Sequence, residues 1–335
     1  ANNLGDARLS YPIEVPPGRQ GMQPQLAVSY NSSGGNGWMG VGWDLSQRAV
    51  TIETRWGVPR YDSAKETETY LLDGEQLTPV AHRGALQARS AEKIFYTRVE
   101  GQFRKIVRHG TSPGNYWWEV TDKNGTRSIY GGNLATQSQD ATATLKTGGG
   151  KVFRWALREV RDLNGNRMTY AYDTVNDVGV EGGNVAGRQL YLQQVAYTDH
   201  PASPARYSVR FLRDNDPELT GYVRRPDVQI DARGGFKQVT AHLLKRIDVK
   251  FDSTLVRRYD FEYQEGAFKK TLLKSVRQSG TDGVTFNGQI NEHTFQYYDD
   301  IRNADSTYKG FDAAKSVDTG TDNLKTRGFA HTVLG

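Results

Sequence analysis

Three glycines near the start of the chain have the spacing of a dinucleotide-binding fingerprint. Gly35, Gly37 and Gly40 form a G-x-G-x-x-G string, and Asp62 stands about twenty residues further on, as that fingerprint requires. In a Rossmann domain, the third glycine opens a helix whose N-terminus binds the pyrophosphate. Here Gly42 interrupts any helix start, and the residues that follow alternate as a strand does. We therefore predict that these glycines shape the backbone and bind no nucleotide.

A Glu-x-Glu pair, Glu66 and Glu68, is a second candidate for chemistry, because ADP-ribosyltransferases use such a pair to orient the ribose and the acceptor. Those enzymes also use an upstream arginine and a Ser-Thr-Ser strand. The chain offers only Ser32-Ser33 ahead of the pair. We predict two solvent-facing carboxylates that alternate on a strand before a turn at Asp73-Gly74.

Two acidic segments, starting at Asp122 and Asp162, begin like calcium-binding loops. Neither has flanking helices, and the twelfth position after Asp162 is not a glutamate. We predict two-residue hairpin turns instead, in which Asn124-Gly125 and Asn164-Gly165 supply the positive φ angles that such turns require. The histidines are scattered, with no metal-binding spacing and no nucleophile elbow nearby. They are His82, His109, His200, His242, His293 and His331. We assign no catalytic, cofactor-binding or metal-binding residue, and we expect a protein that is not an enzyme.

Four tryptophans, Trp38, Trp43, Trp117 and Trp118, favour an alternative function, because paired indoles stack on sugars. A surface adhesion or carbohydrate-binding module would use them in this way. Tryptophans in a sheet are more often packed than exposed to a ligand. We predict that Trp38 and Trp43 are largely buried, where Gly40 and Gly42 let neighbouring chains approach closely.

The composition favours a sheet-rich protein. The chain has 335 residues, of which 36 are glycine and 18 tyrosine, and only 36% are hydrophobic. There is no cysteine, which excludes disulfides, thiolate metal sites and cysteine nucleophiles. The 43 basic residues are set against 38 acidic ones without any long run of one charge. The densest basic pairs, Arg224-Arg225 and Arg257-Arg258, are interpreted as solvated strand faces, so no nucleic-acid partner is expected.

No targeting or membrane signal is visible. No apolar run approaches the roughly 18 residues that would span a bilayer, so no direct membrane span is expected. The N-terminus has neither a basic nor an apolar region of the kind found in signal peptides. Because the chain also lacks an initiating methionine, we expect it to be part of a longer protein.

The predicted fold is all-β, with successive antiparallel hairpins that form an extended curved sheet and few or no helices. One short helix is predicted, over residues 84–93. An imperfect repeat supports the sheet: a Leu-x-x-Val or Leu-x-x-Ile strand is followed by a strand with alternating large residues. The first strands carry Leu157/Val160, Leu192/Val195, Leu244/Ile247 and Leu273/Val276, and the second carry Tyr170/Tyr172, Val209/Phe211, Phe261/Tyr263 and Phe295/Tyr297.

Composition shifts predict four regions. Residues 1–134 form an N-terminal β region, and 135–151 read as a Gly-rich loop or linker. Residues 152–299 hold the hairpin repeats, and 300–335 form a tail that leads to a further domain.

The N-terminal region resembles a known family. Three blocks carry the likeness: Tyr11-Pro12-Ile13 with Val15-Pro16-Pro17-Gly18, then residues 24–30, and then residues 35–45. They strongly resemble the opening of the SpvB-type N-terminal domain, which is named for a Salmonella plasmid virulence protein and also begins the B components of Tc insecticidal toxins. Residues 60–80, with their Asp-Gly turn, fit the next segment of that family. Residues 152–299 are similar to YD/Rhs repeats.

The resemblance implies a non-enzymatic structural and delivery domain of a secreted, extracellular bacterial toxin. Such a domain forms part of a β-shell that encloses or helps translocate a toxic polypeptide. The implied partners are downstream propeller-like, YD-repeat or toxin domains of the same protein, and other toxin-complex subunits. No cofactor is implied. In the Salmonella-type protein a separate C-terminal ADP-ribosyltransferase follows, and Glu66 and Glu68 lie outside that part.

Overall fold

The computed structural model describes residues 5–79, 89, 92–299, 301–305 and 307–310, and within them the fold is almost entirely β. Helical structure in these ranges is limited to three 3-10 turns at Arg19–Gly21, Ala141–Ala143 and Ala267–Lys269, which confirms the all-β prediction. No helical turn there has the length and apolar character needed to cross a membrane. The first strands are β1 (Arg8–Ile13), β2 (Leu26–Asn31), β3 (Asn36–Gly37), β4 (Gly40–Val41), β5 (Trp43–Leu45), β6 (Ala49–Ile52), β7 (Tyr70–Leu72), β8 (Glu75–Pro79), β9 (Glu92–Thr97), β10 (Lys105–His109), β11 (Trp117–Thr121) and β12 (Arg127–Tyr130). The later ones are β13 (Gly132–Asn133), β14 (Ser138–Gln139), β15 (Thr144–Lys146), β16 (Val152–Arg161), β17 (Arg167–Asp177), β18 (Gly187–Asp199), β19 (Tyr207–Arg213), β20 (Gln229–Asp231), β21 (Gln238–Thr240), β22 (Leu244–Phe251), β23 (Thr254–Glu265), β24 (Thr271–Ser279) and β25 (Asn291–Thr294).

The first half of the chain forms a closed sheet of eight strands. Strands β6 to β12 pair antiparallel in chain order, and β16 pairs with both ends of this series, β12 and β6. Strand β16 can do this because it is ten residues long. The closure itself was not predicted from the sequence.

From β16 a second, open sheet extends. It runs β16–β17–β18–β19–β22–β23–β24–β25, antiparallel throughout and in chain order except for the inserted β20–β21 hairpin. This confirms the predicted succession of antiparallel hairpins. Strand β15 pairs antiparallel with β16, and β21 makes one parallel contact with β18. There are also a small sheet of β1, β2 and β5 and the short β3–β4 and β13–β14 pairs.

Each Leu-x-x-Val unit of the repeat contains a β-bulge. In a regular strand, two residues that are three positions apart face opposite sides of the sheet. A bulge adds one residue between them, so both side chains then face the same side. The register shifts place that extra residue directly after the leucine, at Arg158, Gln193, Lys245 and Lys274. All eight apolar residues of the four units are consequently buried. Bulges bend strands, which gives the open sheet its curvature.

Tyrosines that follow three of these units donate hydrogen bonds to the bulges. The hydroxyl of Tyr172 donates to the Leu157 carbonyl oxygen at 2.7 Å, and that of Tyr263 donates to Leu244 at 2.5 Å. Tyr297 donates to the carbonyl of Leu273 at 2.6 Å. Burial raises the pKa of all three phenols, so they remain protonated donors. In the remaining unit, the corresponding residue is Phe211, which has no hydroxyl.

We expect Tyr263→Phe to lower the free energy of unfolding by about 1–3 kcal/mol, because the Leu244 carbonyl oxygen loses its hydroxyl donor. Chemical denaturation measures the change. Tyr298→Phe is the matched control, since Tyr298 is 90% exposed and should change stability by less than about 0.5 kcal/mol. Equal effects of the two substitutions would contradict a specific role for the hydroxyl.

The Asn-Gly turns differ from the prediction. At Asp122–Thr126, Gly125 N donates to Asp122 O and Asp122 N donates to Thr126 O, both at 2.9 Å. The turn starting at Asp162 has the same two bonds. Of each Asn-Gly pair only the glycine has positive φ, so these are longer turns closed by a glycine bulge. The two-residue type, with positive φ at both positions, occurs at Asp73-Gly74.

One hydrophobic core contains residues from both predicted β regions, from Ile13 to Val276. The segment 135–151, predicted as a loop or linker, contributes β14 and β15 to the sheets, and Leu145 is buried. The division into regions otherwise stays a prediction. The predicted helix over 84–93 lies outside the described residues except for Arg89 and the start of β9, and most of the tail 300–335 lies outside them too.

Candidate functional site: a glycine hairpin and the cleft beside it

The glycine string forms a tight hairpin that inserts two large side chains into the core. Strands β3 and β4 pair through Asn36↔Val41 and Gly37↔Gly40, so Trp38 and Met39 occupy the tip. Both side chains are buried, and the Trp38 ring lies 5.9 Å from the ring of Tyr191. Trp38 O also accepts a hydrogen bond from Leu244 N at 2.8 Å. The motif therefore anchors the N-terminal region to the open sheet.

Gly40 and Gly42 are required by close backbone contacts. Gly40 has φ +82°, and a Cβ there would lie 2.5 Å from the carbonyl oxygen of Thr271 on β24. Gly42 has φ +78°, and its Cβ would lie 2.6 Å from the ring of Tyr30. Strand β5 follows at once, where a nucleotide-binding domain would have a helix. The backbone role predicted for these glycines is confirmed.

We expect Gly40→Ala to destabilise the protein by about 2–4 kcal/mol, because it combines a left-handed conformation with a backbone clash. Gly35→Ala is the control within the same string: a Cβ at Gly35 meets nothing within 4 Å, and its φ is not positive. Its cost should stay below about 0.5 kcal/mol. Thermal unfolding of the two variants checks the difference, and a larger loss for Gly35→Ala would contradict this account.

A buried ion pair holds the hairpin in place. Arg225 donates from Nε to the Asp227 carboxylate at 2.9 Å and from Nη1 to Gly37 O at 2.6 Å. Asp227 also accepts from Asn36 Nδ2 at 2.9 Å and from Thr271 N at 2.7 Å. Burial alone would raise the pKa of Asp227, but the hydrogen bonds from Arg225 and Thr271 outweigh it and lower the pKa to about 2. We call Asn36, Arg225, Asp227 and Thr271 the hairpin latch.

All four tryptophans considered as sugar platforms are packed inside the protein, with exposed fractions of 5% or less. Trp43 donates from Nε1 to the Tyr297 hydroxyl at 2.7 Å, and Trp117 stacks on the His109 ring at 4.0 Å. The prediction that Trp38 and Trp43 are buried is confirmed. Because all four tryptophans are buried, they cannot form the exposed sugar-binding surface that the carbohydrate-binding alternative requires.

Glu66 and Glu68 lie in a loop before β7, so the predicted strand position was wrong. Glu66 accepts two hydrogen bonds from the fully buried Arg108 guanidinium, at 2.6 and 2.8 Å. Lys93 Nζ lies 3.5 Å from the same carboxylate. Glu68 accepts from Tyr61 N at 2.7 Å. Instead of facing solvent side by side, the carboxylates hold separate parts of the fold together.

The remaining polar candidates have local structural roles. Asp162 caps its own turn by accepting from Asn164 N and Asn166 N at 2.9 Å. His242 Nδ1 lies 2.9 Å from the Asp214 carboxylate, and both residues are buried. His82 and His331 lie outside the described residues. Within the described part of the chain, no three histidine or acidic residues are arranged to hold a metal.

A polar cleft opens beside the glycine hairpin, beneath the β20–β21 hairpin. It contains three adjoining cavities of about 820, 380 and 190 Å³, and Gln189 on β18 lines all three. Arg154 on β16 lines the two smaller cavities, and Asp44 on β5 lines the largest and the smallest. These residues come from strands that are far apart in the chain, so no local sequence pattern groups them.

The family of the chain follows from a sequence comparison. The family model described as SpvB, the Salmonella virulence plasmid 65kDa B protein, matches residues 1–219. The chain belongs to the SpvB family. The glycine hairpin and the closed sheet both lie within the matched range.

Curated relatives in the SpvB family share part of their length with this chain. Mono(ADP-ribosyl)transferase SpvB of Salmonella typhimurium, of Salmonella choleraesuis and of Salmonella enteritidis is 29% identical over 222 residues. The match covers 60% of this chain and 36% of each relative, so the chain spans little more than a third of their length.

Solved structures share the fold. The N-terminal domain of effector protein SpvB from Salmonella typhimurium strain LT2 matches with a TM-score of 0.66 at 23% identity, over 81% of this chain and 98% of that domain. TcdB2-TccC3 matches with a TM-score of 0.67 at 24% identity, over 86% of this chain and 16% of that one. The Photorhabdus luminescens Tc holotoxin pore matches with a TM-score of 0.66 at 23% identity, over 86% and 15%.

Sequence reasoning missed the arginines that organise this SpvB-family fold. The sequence suggests that Arg225 belongs to a solvated basic pair, but its side chain is fully buried. Nothing in the sequence marks Arg108, although it pairs with Glu66. The available signal was weak: Asp227 stands two residues after Arg225, which is compatible with either a buried or an exposed pair.

Proposed function

We propose that this chain is a structural and delivery domain of a secreted bacterial toxin, and that it forms part of a β-shell around a toxic polypeptide. Membership of the SpvB family supports a toxin-associated role. Solved proteins with the same fold include an effector and Tc toxin complexes, which supports partnership with other toxin subunits.

The open sheet carries this proposal. It grows strand by strand in chain order, and within the described ranges β25 pairs on one edge only, with β24. A free strand edge is a template for a further strand. Each Leu-x-x-Val strand bends at its bulge in the same manner, so further strands paired to this sheet would extend it as a curved wall rather than a flat sheet. Downstream domains of the same protein would continue that wall.

The absence of catalysis is part of the proposal. Glu66 forms an ion pair with Arg108, and Glu68 accepts a hydrogen bond from the backbone of Tyr61, so both carboxylates have structural roles. We assign the transferase activity of the curated relatives to the portion that this chain does not span. Incubation of the chain with NAD and candidate acceptor proteins should give no ADP-ribose transfer. Transfer that disappears in Glu66→Gln would contradict this part.

Protease protection tests the shell. In the complete product of the gene, we expect the segment that follows the shell to resist a protease that digests the same segment when it is expressed alone. The Arg225→Ala variant, which loosens the hairpin latch, should lose part of that protection. Equal digestion of the enclosed and the isolated segment would contradict the proposal.

A further inference from the structure

The polar cleft contains two charged side chains that make no ion pair with any described residue, Arg154 and Asp44. The Arg154 guanidinium makes one long hydrogen bond, from Nη2 to Gln47 Oε1 at 3.4 Å, and its buried Nε has no partner. The other carboxylates that line the cleft are already engaged: Asp73 lies 3.2 Å from Arg48 Nε, and Asp231 lies 2.6 Å from Arg233 Nη2.

Arg154 lies in the middle of the sheet, and its side chain is half-buried. It lies on β16 and pairs with Leu145 on one edge and Thr51 on the other, so strands flank it on both sides. Burial lowers the pKa of its guanidinium. The charge of Asp44 opposes this shift, but the two side chains form no direct ion pair. A largely buried cation that no carboxylate contacts is costly, and apolar residues often replace such groups without loss of stability. A ligand with an anionic group would offset this cost, which gives a physical reason for an arginine at position 154.

Asp44 faces the same small cavity. Its side chain lines the cavity, and burial raises the pKa of the carboxyl more than the charge of Arg154 lowers it. Gly37 lies beside it, and even a Cβ at Gly37 would stand 3.9 Å from Asp44 Oδ1, which leaves room for a donor group. Asp44 therefore provides a negative end to a cavity whose positive end is Arg154.

Size and lining restrict what fits. The cavity shared by Arg154 and Asp44 measures about 190 Å³, which at about 30 Å³ per water holds about six waters or a ligand of similar size. Gln47, Gln189 and Thr240 complete the polar wall. Dinucleotides are too large for this space, and a simple anion would satisfy Arg154 but be repelled by Asp44.

We propose that this cavity binds a small zwitterion of the amino-acid class, with its carboxylate on Arg154 and its ammonium group on Asp44. Gln47 and Gln189 offer amide groups to the carboxylate end, which suits planar, bidentate recognition by a guanidinium. The adjoining cavity of about 380 Å³, also lined by Arg154, has room for a side chain. This site does not depend on the delivery role, and either can fail without the other.

Calorimetric titration of the purified chain tests the site. The probes are glycine, L-alanine and L-glutamate. Acetate, which has only the carboxylate, and methylammonium, which has only the ammonium group, are the controls. We expect saturable binding of at least one amino acid with a dissociation constant below about 1 mM. Arg154→Gln and Asp44→Asn should each weaken it about 10- to 100-fold. Arg161→Gln is the matched control, since Arg161 lies on the same strand and already pairs with Glu159 at 2.8 Å.

A stability measurement separates a binding site from a structural one. Without ligand, the Arg154→Met variant should melt at the same temperature as the wild type or higher, because it removes a charge that no carboxylate contacts. A lower melting temperature would overturn the proposal by showing that Arg154 supports the fold. The absence of saturable binding for all three amino acids would overturn it too, as would acetate binding as tightly as they do.

Discussion

Replacing Arg225 with alanine is expected to lower the free energy of unfolding by about 3–5 kcal/mol, the cost of breaking a buried ion pair from one side. The substitution leaves the Asp227 carboxylate inside the protein without its cation. It also removes the donor to Gly37 O, so the glycine hairpin loses a hydrogen bond to the segment before β20. Equilibrium denaturation in urea measures the loss.

Arg224→Ala is the matched control for this prediction. Arg224 is the adjacent residue and also pairs with an aspartate, Asp177, but its side chain is 40% exposed. Surface pairs contribute about 0–1 kcal/mol, so this variant should remain near wild-type stability. Similar losses in the two variants would contradict the distinction between a buried latch and a solvated pair.

Trp118→Ala is expected to cost about 3–5 kcal/mol through the cavity that it leaves. The indole is fully buried in the closed sheet, with ring centroids 4.9 Å from Tyr70, 5.1 Å from Phe95 and 6.0 Å from Trp155. These rings come from β7, β9 and β16, so the substitution weakens three strands at once. Tryptophan fluorescence during denaturation would follow the loss.

The control is Trp56→Ala, because Trp56 is 85% exposed. Its removal should change stability by less than about 0.5 kcal/mol. If Trp118→Ala were tolerated as well as Trp56→Ala, Trp118 would not be a core residue. A carbohydrate-binding role for the paired tryptophans would then regain support.

The strands and the repeat could be predicted because both depend on local patterns. Alternation and Leu-x-x-Val spacing can be read directly from the sequence, and three of the four units appear in the structure as predicted. In the fourth unit, Phe295 and Tyr297 lie just beyond β25, which ends at Thr294. The bulge could have been inferred too: two apolar residues three apart face one core only if the strand contains an extra residue. The turn type at Asn124-Gly125 was missed because Asn-Gly suits two kinds of hairpin, and the flanking strand register decides between them.

Closure of the eight-stranded sheet and the polar cleft could not be predicted, since both depend on contacts between distant segments. Strand β6 meets β16 across about a hundred residues of chain, and nothing local in either strand specifies that pairing. Arg154 and Asp44 likewise come from different strands. The sequence alone argues against nucleotide binding by the glycine string, because the required helix is missing. That the string anchors the N-terminal region is visible only in the structure, where Trp38 is buried in the core.

Cryo-electron microscopy of the complete gene product tests the central claim most directly. The account predicts that the free edge of β25 pairs with a following strand of the same protein, and that the curved sheet continues into a wall around an enclosed polypeptide. A β25 edge left open to solvent, with the downstream chain folded as a separate enzyme that encloses nothing, would contradict it.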